Sequence, residues 1–293
     1  MPATALHAAA PRPGLTEALL AERRRRRSRA AVAASVLAAA TLLAASVGGF
    51  DPVRLIARLP RVGEFLDLLV PPIRAGHVIE DVGEWYWGLG KWLRLLADTL
   101  LMAFLATALG TAGGALLSFP AAANLTPGPV AYWISRRLLE FARAVPDLVF
   151  AIVFVFAFGL GPLAGVLAIA VHTLGAQGKL FAEANENIDM RPCEGVRAAG
   201  GSPREEIVHA VLPQVLPNWI SFTFWRFEVN VRSATIIGFV GAGGIGLELY
   251  ESLRLSYYDD VGAILLIVAC TVFAIDWASE ALRGRVAEGS ARA

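Results

Sequence analysis

From Ala30 to Phe50 the chain runs without a single charged side chain, which is about the length a helix needs to cross the ~30 Å hydrocarbon core of a bilayer. Three more long apolar runs follow, Leu93–Phe119, Leu163–Leu180 and Leu212–Gly238, then a last one at Val261–Leu282, with a shorter one at Leu148–Phe158. Backbone groups in lipid must bond within their own segment, so such runs dictate an all-α integral membrane fold of about six transmembrane helices. Composition agrees: 56% of residues are hydrophobic and 17% are charged, too apolar a balance for a soluble domain. The net charge of +1 argues for no nucleic-acid partner. Cys193 and Cys270 have no CxxC and no nearby His, so neither a disulfide framework nor a metal site is expected.

The runs divide the chain. Residues 1–28 read as a disordered basic cytoplasmic N-terminus ending in Arg23–Arg27 and Arg29, and residues 29–50 as a first transmembrane helix. A cleaved signal peptide has a similar outline, with small residues at Ala44, Ala45 and Ser46, but its apolar region is shorter, and the uncleaved span is the reading taken. Residues 51–92 form an extracytoplasmic segment with Pro60, Pro71 and Pro72, and with Trp85, Tyr86, Trp87 and Trp92 expected at the membrane interface. Residues 93–282 hold five further spans, the third beginning in the amphipathic stretch Tyr132–Arg143 and kinking at Pro146. A polar loop at 181–211 is inside, a glycine-rich turn from Gly241 is outside, and 283–293 form a cytoplasmic tail with Arg283 and Arg285. Both termini inside follows from the positive-inside rule, although Arg54, Arg58 and Arg61 then lie outside.

Gly241-Ala-Gly243-Gly-Ile-Gly246 matches the dinucleotide fingerprint GxGxxG, but the stretch before it continues a membrane span and no further βαβ unit follows. A re-entrant or external turn is the better reading. Within the fifth span, Arg226, Glu228, Asn230 and Arg232 form a possible translocation path. Glu228 and Arg232 are four apart and share a face. One reading has an arginine attract an oxyanion; the other has a Glu–Arg pair lock helix packing. Arg143 and Asp147 are placed to pair across the Pro146 kink, and the glycine pairs Gly110/Gly114 and Gly175/Gly178 allow close helix approach.

The loop decides the matter. Residues 194–213 read Glu-Gly-Val-Arg-Ala-Ala-Gly-Gly-Ser-Pro-Arg-Glu-Glu-Ile-Val-His-Ala-Val-Leu-Pro. A helix from Arg191 to Ala199, a stop at Gly200 and Gly201, and a second helix starting at the Ser202–Pro203 cap would build an elbow that can lie in a groove on a soluble partner. This stretch resembles the cytoplasmic coupling loop of ABC importer permeases, whose pattern is Glu-Ala-Ala, three residues, Gly, nine residues, Ile, any residue, Leu-Pro. Glu194, Gly200, Leu212 and Pro213 fall on it; Gly195, Val196 and Ala210 depart from it. His172–Asp189 and Phe224–Gly246 are similar to phosphonate-uptake permeases in particular.

That resemblance covers roughly residues 90–282 and leaves the arginine-rich N-terminal extension unexplained. It implies a permease subunit in the bacterial inner membrane, a second permease copy making a homodimer, a cytoplasmic ATPase dimer and an extracytoplasmic phosphonate-binding protein. ATP and Mg would sit on the ATPase; this chain has no GxxxxGK[ST] loop to hold them and is expected to be a transport subunit and no enzyme. The alternative is a channel or a non-transporting membrane scaffold, neither of which needs the elbow.

Overall fold

A computed structural model of the chain describes residues 13–74 and 76–290. Among these every regular element is a helix: α1 (Pro13–Val47), α2 (Pro52–Leu68), α3 (Val78–Trp85), α4 (Leu89–Ala121), α5 (Pro129–Ala144), α6 (Asp147–Phe158), α7 (Pro162–Glu186), α8 (Arg191–Ala198), α9 (Pro203–Glu206), α10 (Leu212–Ile237), α11 (Gly244–Arg254) and α12 (Tyr258–Ser290). Without a strand among the described residues, Gly241–Gly246 has no βαβ unit to serve. Gly241–Gly243 form the turn into α11 and Gly244–Gly246 its first residues, with left-handed backbone at Gly241, Gly243 and Gly244.

The chain divides into two compact units, residues 1–65 and 66–293. In the first, α1 is one helix that carries the arginine cluster and the apolar run without a break. Residues 13–28, which the sequence suggests are disordered, are helical, because Ala, Leu, Glu and Arg all favour helix; residues 1–12 lie outside the described ones. Val32, Leu37, Leu42 and Val47 are exposed along α1, the surface of a helix that meets lipid.

In the second unit α4, α7 and α10 pack together. The approach of α4 to α7 is set by glycine: a Cβ on Gly114 would stand 2.8 Å from the backbone nitrogen of Gly178, so the two backbones touch where side chains would separate them. Thr107, Ala106 and Ala103 extend the same face of α4 into the core. Outward, Leu101, Phe104, Leu105 and Leu109 are exposed, which suits a lipid-facing surface.

Helices α5 and α6 together are long and apolar enough for one span, and they are bent by 88° at the Val145–Pro146 break. The sequence suggests one kinked helix; the structure has two helices at a right angle. Proline removes a donor and disfavours helix at the residue before it, and Val145 is accordingly extended. The anticipated Arg143–Asp147 pair does not form: Asp147 instead accepts a hydrogen bond from the Leu148 backbone at 2.9 Å, and Arg143 is exposed. α12 also continues past Leu282 to Ser290, and its Arg283 stands 3.8 Å from Glu228 of α10, so this arginine belongs to the helix bundle and not to a tail. The backbone of residues 291–293 and the side chain of Arg285 lie outside what is described.

The aromatic segment around α3 is more internal than the sequence implies. Trp92 is fully buried and Trp85 nearly so, within a core with Ile245, Val261 and Ile264. Trp85 Nε1 donates to the Asp259 carbonyl at 2.8 Å and Trp87 Nε1 to Asp260 Oδ1 at 2.9 Å. These indoles tie α3 to the start of α12, and of the three tryptophans only Trp87 stays largely exposed.

Candidate functional site

Two groups of residues stand apart from ordinary packing: an elbow between α7 and α10, and a polar cluster inside the bundle. The elbow begins at Asp189, whose carboxylate takes the Arg191 backbone N–H at 3.0 Å and the Arg191 side chain at 2.6 Å; the arginine holds this carboxyl below its ordinary range. α8 follows, with Cys193 fully buried among Phe181, Val211, Val215 and Trp219. Burial pushes the Cys193 thiol up, so it serves as a neutral anchor pinning α8 to the bundle.

α8 ends in a Schellman turn: Gly201 N–H donates to the Val196 carbonyl at 2.9 Å and Gly200 N–H to the Arg197 carbonyl at 3.0 Å. Gly200 has φ +83°, the left-handed backbone such a stop requires. α9 starts at once with a capping box, the Ser202 N–H donating to Glu205 Oε2 at 2.6 Å and the Glu205 N–H to Ser202 Oγ at 3.4 Å. These bonds hold the Glu205 carboxyl low. The two arms are clamped by a two-pronged pair, Arg197 Nε to Glu206 Oε2 at 2.7 Å and Nη2 to Oε1 at 2.6 Å. The Arg197 guanidinium holds the Glu206 carboxyl below its ordinary range.

A π-helical turn at Ile207–Val211 joins α9 to α10. Its cause is Pro213, which has no N–H for the carbonyl four residues back and crowds it. The turn widens, Leu212 N–H reaches Ile207 O, and Gln214 Nε2 takes the Ala210 carbonyl at 2.7 Å. The elbow is thus one continuous piece with α10, bent where the Leu-Pro of the sequence pattern falls. Leu212 is half-buried against the Cys193 core, while Pro213 is exposed. Glu194 lies in the first turn of α8, exposed and in no ion pair among the described residues.

The structure splits the four fifth-span residues in two. Glu228 and Arg232 pair at 3.0 Å, with Asp276 at 3.7 Å from Arg232. Arg226 and Asn230 face the other way, into the bundle. Asn230 Nδ2 donates to Thr107 Oγ1 at 2.8 Å and to Thr173 Oγ1 at 3.0 Å, and Arg226 Nε donates to Thr173 Oγ1 at 3.2 Å. One turn further along α4 and α7, Thr111 Oγ1 and Gln177 Oε1 are buried without a protein partner. Sequence reasoning passed over Thr107, Thr111, Thr173 and Gln177. The signal available was a hydroxyl or amide repeated at four-residue spacing on otherwise apolar helices.

Residues 114–288 match the family described as binding-protein-dependent transport system inner membrane component. The chain belongs to that family. This permease is 40% identical over 237 residues, 81% of its own length and 82% of the relative's, to the phosphite transport system permease protein PtxC of Stutzerimonas stutzeri. It is 42% identical over 189 residues to the phosphate-import permease protein PhnE of Mycolicibacterium smegmatis, covering 64% of this chain and 36% of that longer one. Its fold matches the inward-facing MetNI methionine ABC transporter with a TM-score of 0.56 at 20% identity, over 67% of this chain and 95% of that one. The permease is accordingly a multi-pass inner-membrane transport subunit rather than an enzyme, and its family implies an ATPase, a binding protein and the membrane as partners.

Proposed function

We propose that this permease translocates a phosphorus oxyanion, phosphonate or phosphite, into the cell, and that the elbow is where ATP hydrolysis is coupled to that movement. The observation that carries the reading is the joint at Gly200 and Pro213. α8 is clamped to α9 by Arg197–Glu206, and α9 runs into the span α10 through the π-turn. A push on α8 is therefore delivered to α10 without a flexible link. The substrate class is supported by the phosphite-transport and phosphate-import relatives and by the buried Arg226 of α10.

In this reading two permease copies pair as a homodimer, each laying α8 in a groove on one copy of a cytoplasmic ATPase, which holds ATP and Mg. The external binding protein delivers the anion. ATP brings the two ATPases together, the elbows follow, and the spans switch the side to which they open. Glu194, at the positive end of α8, is free to meet a basic group on the ATPase.

Gly200→Val tests this. A β-branched residue in left-handed backbone costs about 1–2 kcal/mol, enough to distort the turn while the buried anchor at Cys193 keeps the span assembled. In reconstituted vesicles the variant should hydrolyse ATP without matched uptake, or lose the ATPase on purification. Glu194→Ala should do the same more mildly. Normal uptake by Gly200→Val at equal expression would show that the elbow is not the coupling element.

A further inference from the structure

The two arginines of α10 meet opposite fates. Arg232 is partly exposed and lies in an ion-pair chain, Glu228–Arg232–Asp276, which Arg283 extends on the far side of Glu228. Arg226 is 7% exposed, and its one hydrogen bond to the protein, among the described residues, is the one from Nε to Thr173. No carboxylate among those residues lies within ion-pair distance of it. Asp147, at the start of α6, is an acidic group that acts on it electrostatically without pairing. A guanidinium taken out of water with one neutral hydrogen-bond partner and no paired carboxylate is costly, and an anion that supplies the missing acceptors offsets that cost.

The surroundings leave Arg226 aimed for such an anion. Thr173 takes its Nε, and Asn230 fixes Thr173 by exchanging hydrogen bonds with it at 3.0 and 3.2 Å while holding Thr107 of α4. Three helices thereby set the plane of the guanidinium while both Nη groups keep their donors free. That is the edge with which arginine takes an oxyanion by two parallel hydrogen bonds. One turn away, the unpartnered Thr111 hydroxyl can donate to such a ligand, and the unpartnered Gln177 Oε1, an acceptor, can take a hydrogen bond from a water bound to it.

We propose that Arg226 is the residue that binds the phosphorus oxyanion inside each protomer, with Thr173 and Asn230 as positioning residues, and that the Glu228–Arg232–Asp276–Arg283 chain is a structural lock that does not touch substrate. This rests on the substrate class proposed above. It selects, by chemistry, a small tetrahedral anion with at least two adjacent oxygens.

The test uses the purified permease–ATPase complex without its binding protein, and thermal unfolding in detergent with methylphosphonate, phosphite or phosphate, and sulfate for comparison. A saturable rise in unfolding temperature is expected with a phosphorus oxyanion. Arg226→Lys keeps the charge but not the fork, and its ligand midpoint should rise at least about tenfold. Thr173→Val should raise it by several-fold, whereas Arg232→Met should leave the midpoint unchanged even if the unliganded complex is less stable. If Arg226 only packs α10, both Arg226→Lys and Thr173→Val will unfold earlier yet show the wild-type midpoint, and the proposal is overturned. Wild-type uptake of phosphonate with no ligand-induced shift overturns the subsite alone. Absence of such uptake in wild-type vesicles overturns the substrate class beneath it.

Discussion

Glu206 and Gly200 hold the elbow by different means, and only one of them depends on pH. A Cβ at Gly200 would meet nothing within 4 Å, so its constraint is the backbone angle and is the same in any buffer. Glu206 is held below its ordinary pKa by Arg197. A carboxylate with a lowered folded value contributes fully above its unfolded pKa, and that contribution is lost as pH falls through the folded one. Amide protection over residues 191–206, taken relative to the intrinsic exchange rate at each pH, should therefore be constant from pH 8 to 6 and fall once the pH drops below the ordinary carboxylate range, roughly pH 4. Glu206→Gln should show the unclamped exchange already at pH 7; full protection in that variant would mean that the pair does not hold the arms together. Neither partner of this clamp was legible in advance, because residues nine positions apart across a turn carry no periodic signal. Gly200 and the Ser202 cap were legible, since each satisfies a local rule about how helices stop and start.

Among the elements, the apolar runs of the sequence fall largely inside helices, but α1, α7 and α12 extend well past the runs, and the larger differences lie where tertiary contacts set the geometry. Pro146 predicts a break but not its 88° angle; that comes from α5 lying against α7, where Gly175 would place a Cβ 2.7 Å from the Leu139 carbonyl. Likewise Trp85 and Trp92 look like interface anchors by composition and are core struts by contact. The buried cluster was half legible: Arg226 and Asn230 stood out as costly in lipid, while their partners Thr107 and Thr173 lie on helices distant in sequence. The glycine contact between α4 and α7 makes a sharp prediction. In Gly114→Leu the added side chain must displace the Gly178 backbone, at a cost above the ~1–3 kcal/mol of ordinary overpacking. The variant should fail to give a monodisperse species in mild detergent, whereas Gly195→Leu, on the exposed face of α8 with open space around it, should purify normally. A well-behaved Gly114→Leu would mean that the two helices pack otherwise.

On the scale of the whole molecule, the parts lie along one helix: an elbow continuous with α10, a buried arginine on the same helix, and neighbouring helices packed closely through glycine. Such an arrangement makes sense only if movement of the elbow and passage of the anion are linked, which separates an importer from a channel built of similar spans. The direct measurement is accumulation of radiolabelled methylphosphonate or phosphite in vesicles holding the permease and its ATPase, with the binding protein on the outer face and ATP on the inner. Uphill accumulation should appear only when ATP and the binding protein are both present, and should stop when either is omitted. Equal downhill flux without ATP would contradict the account and make the chain a passive pore.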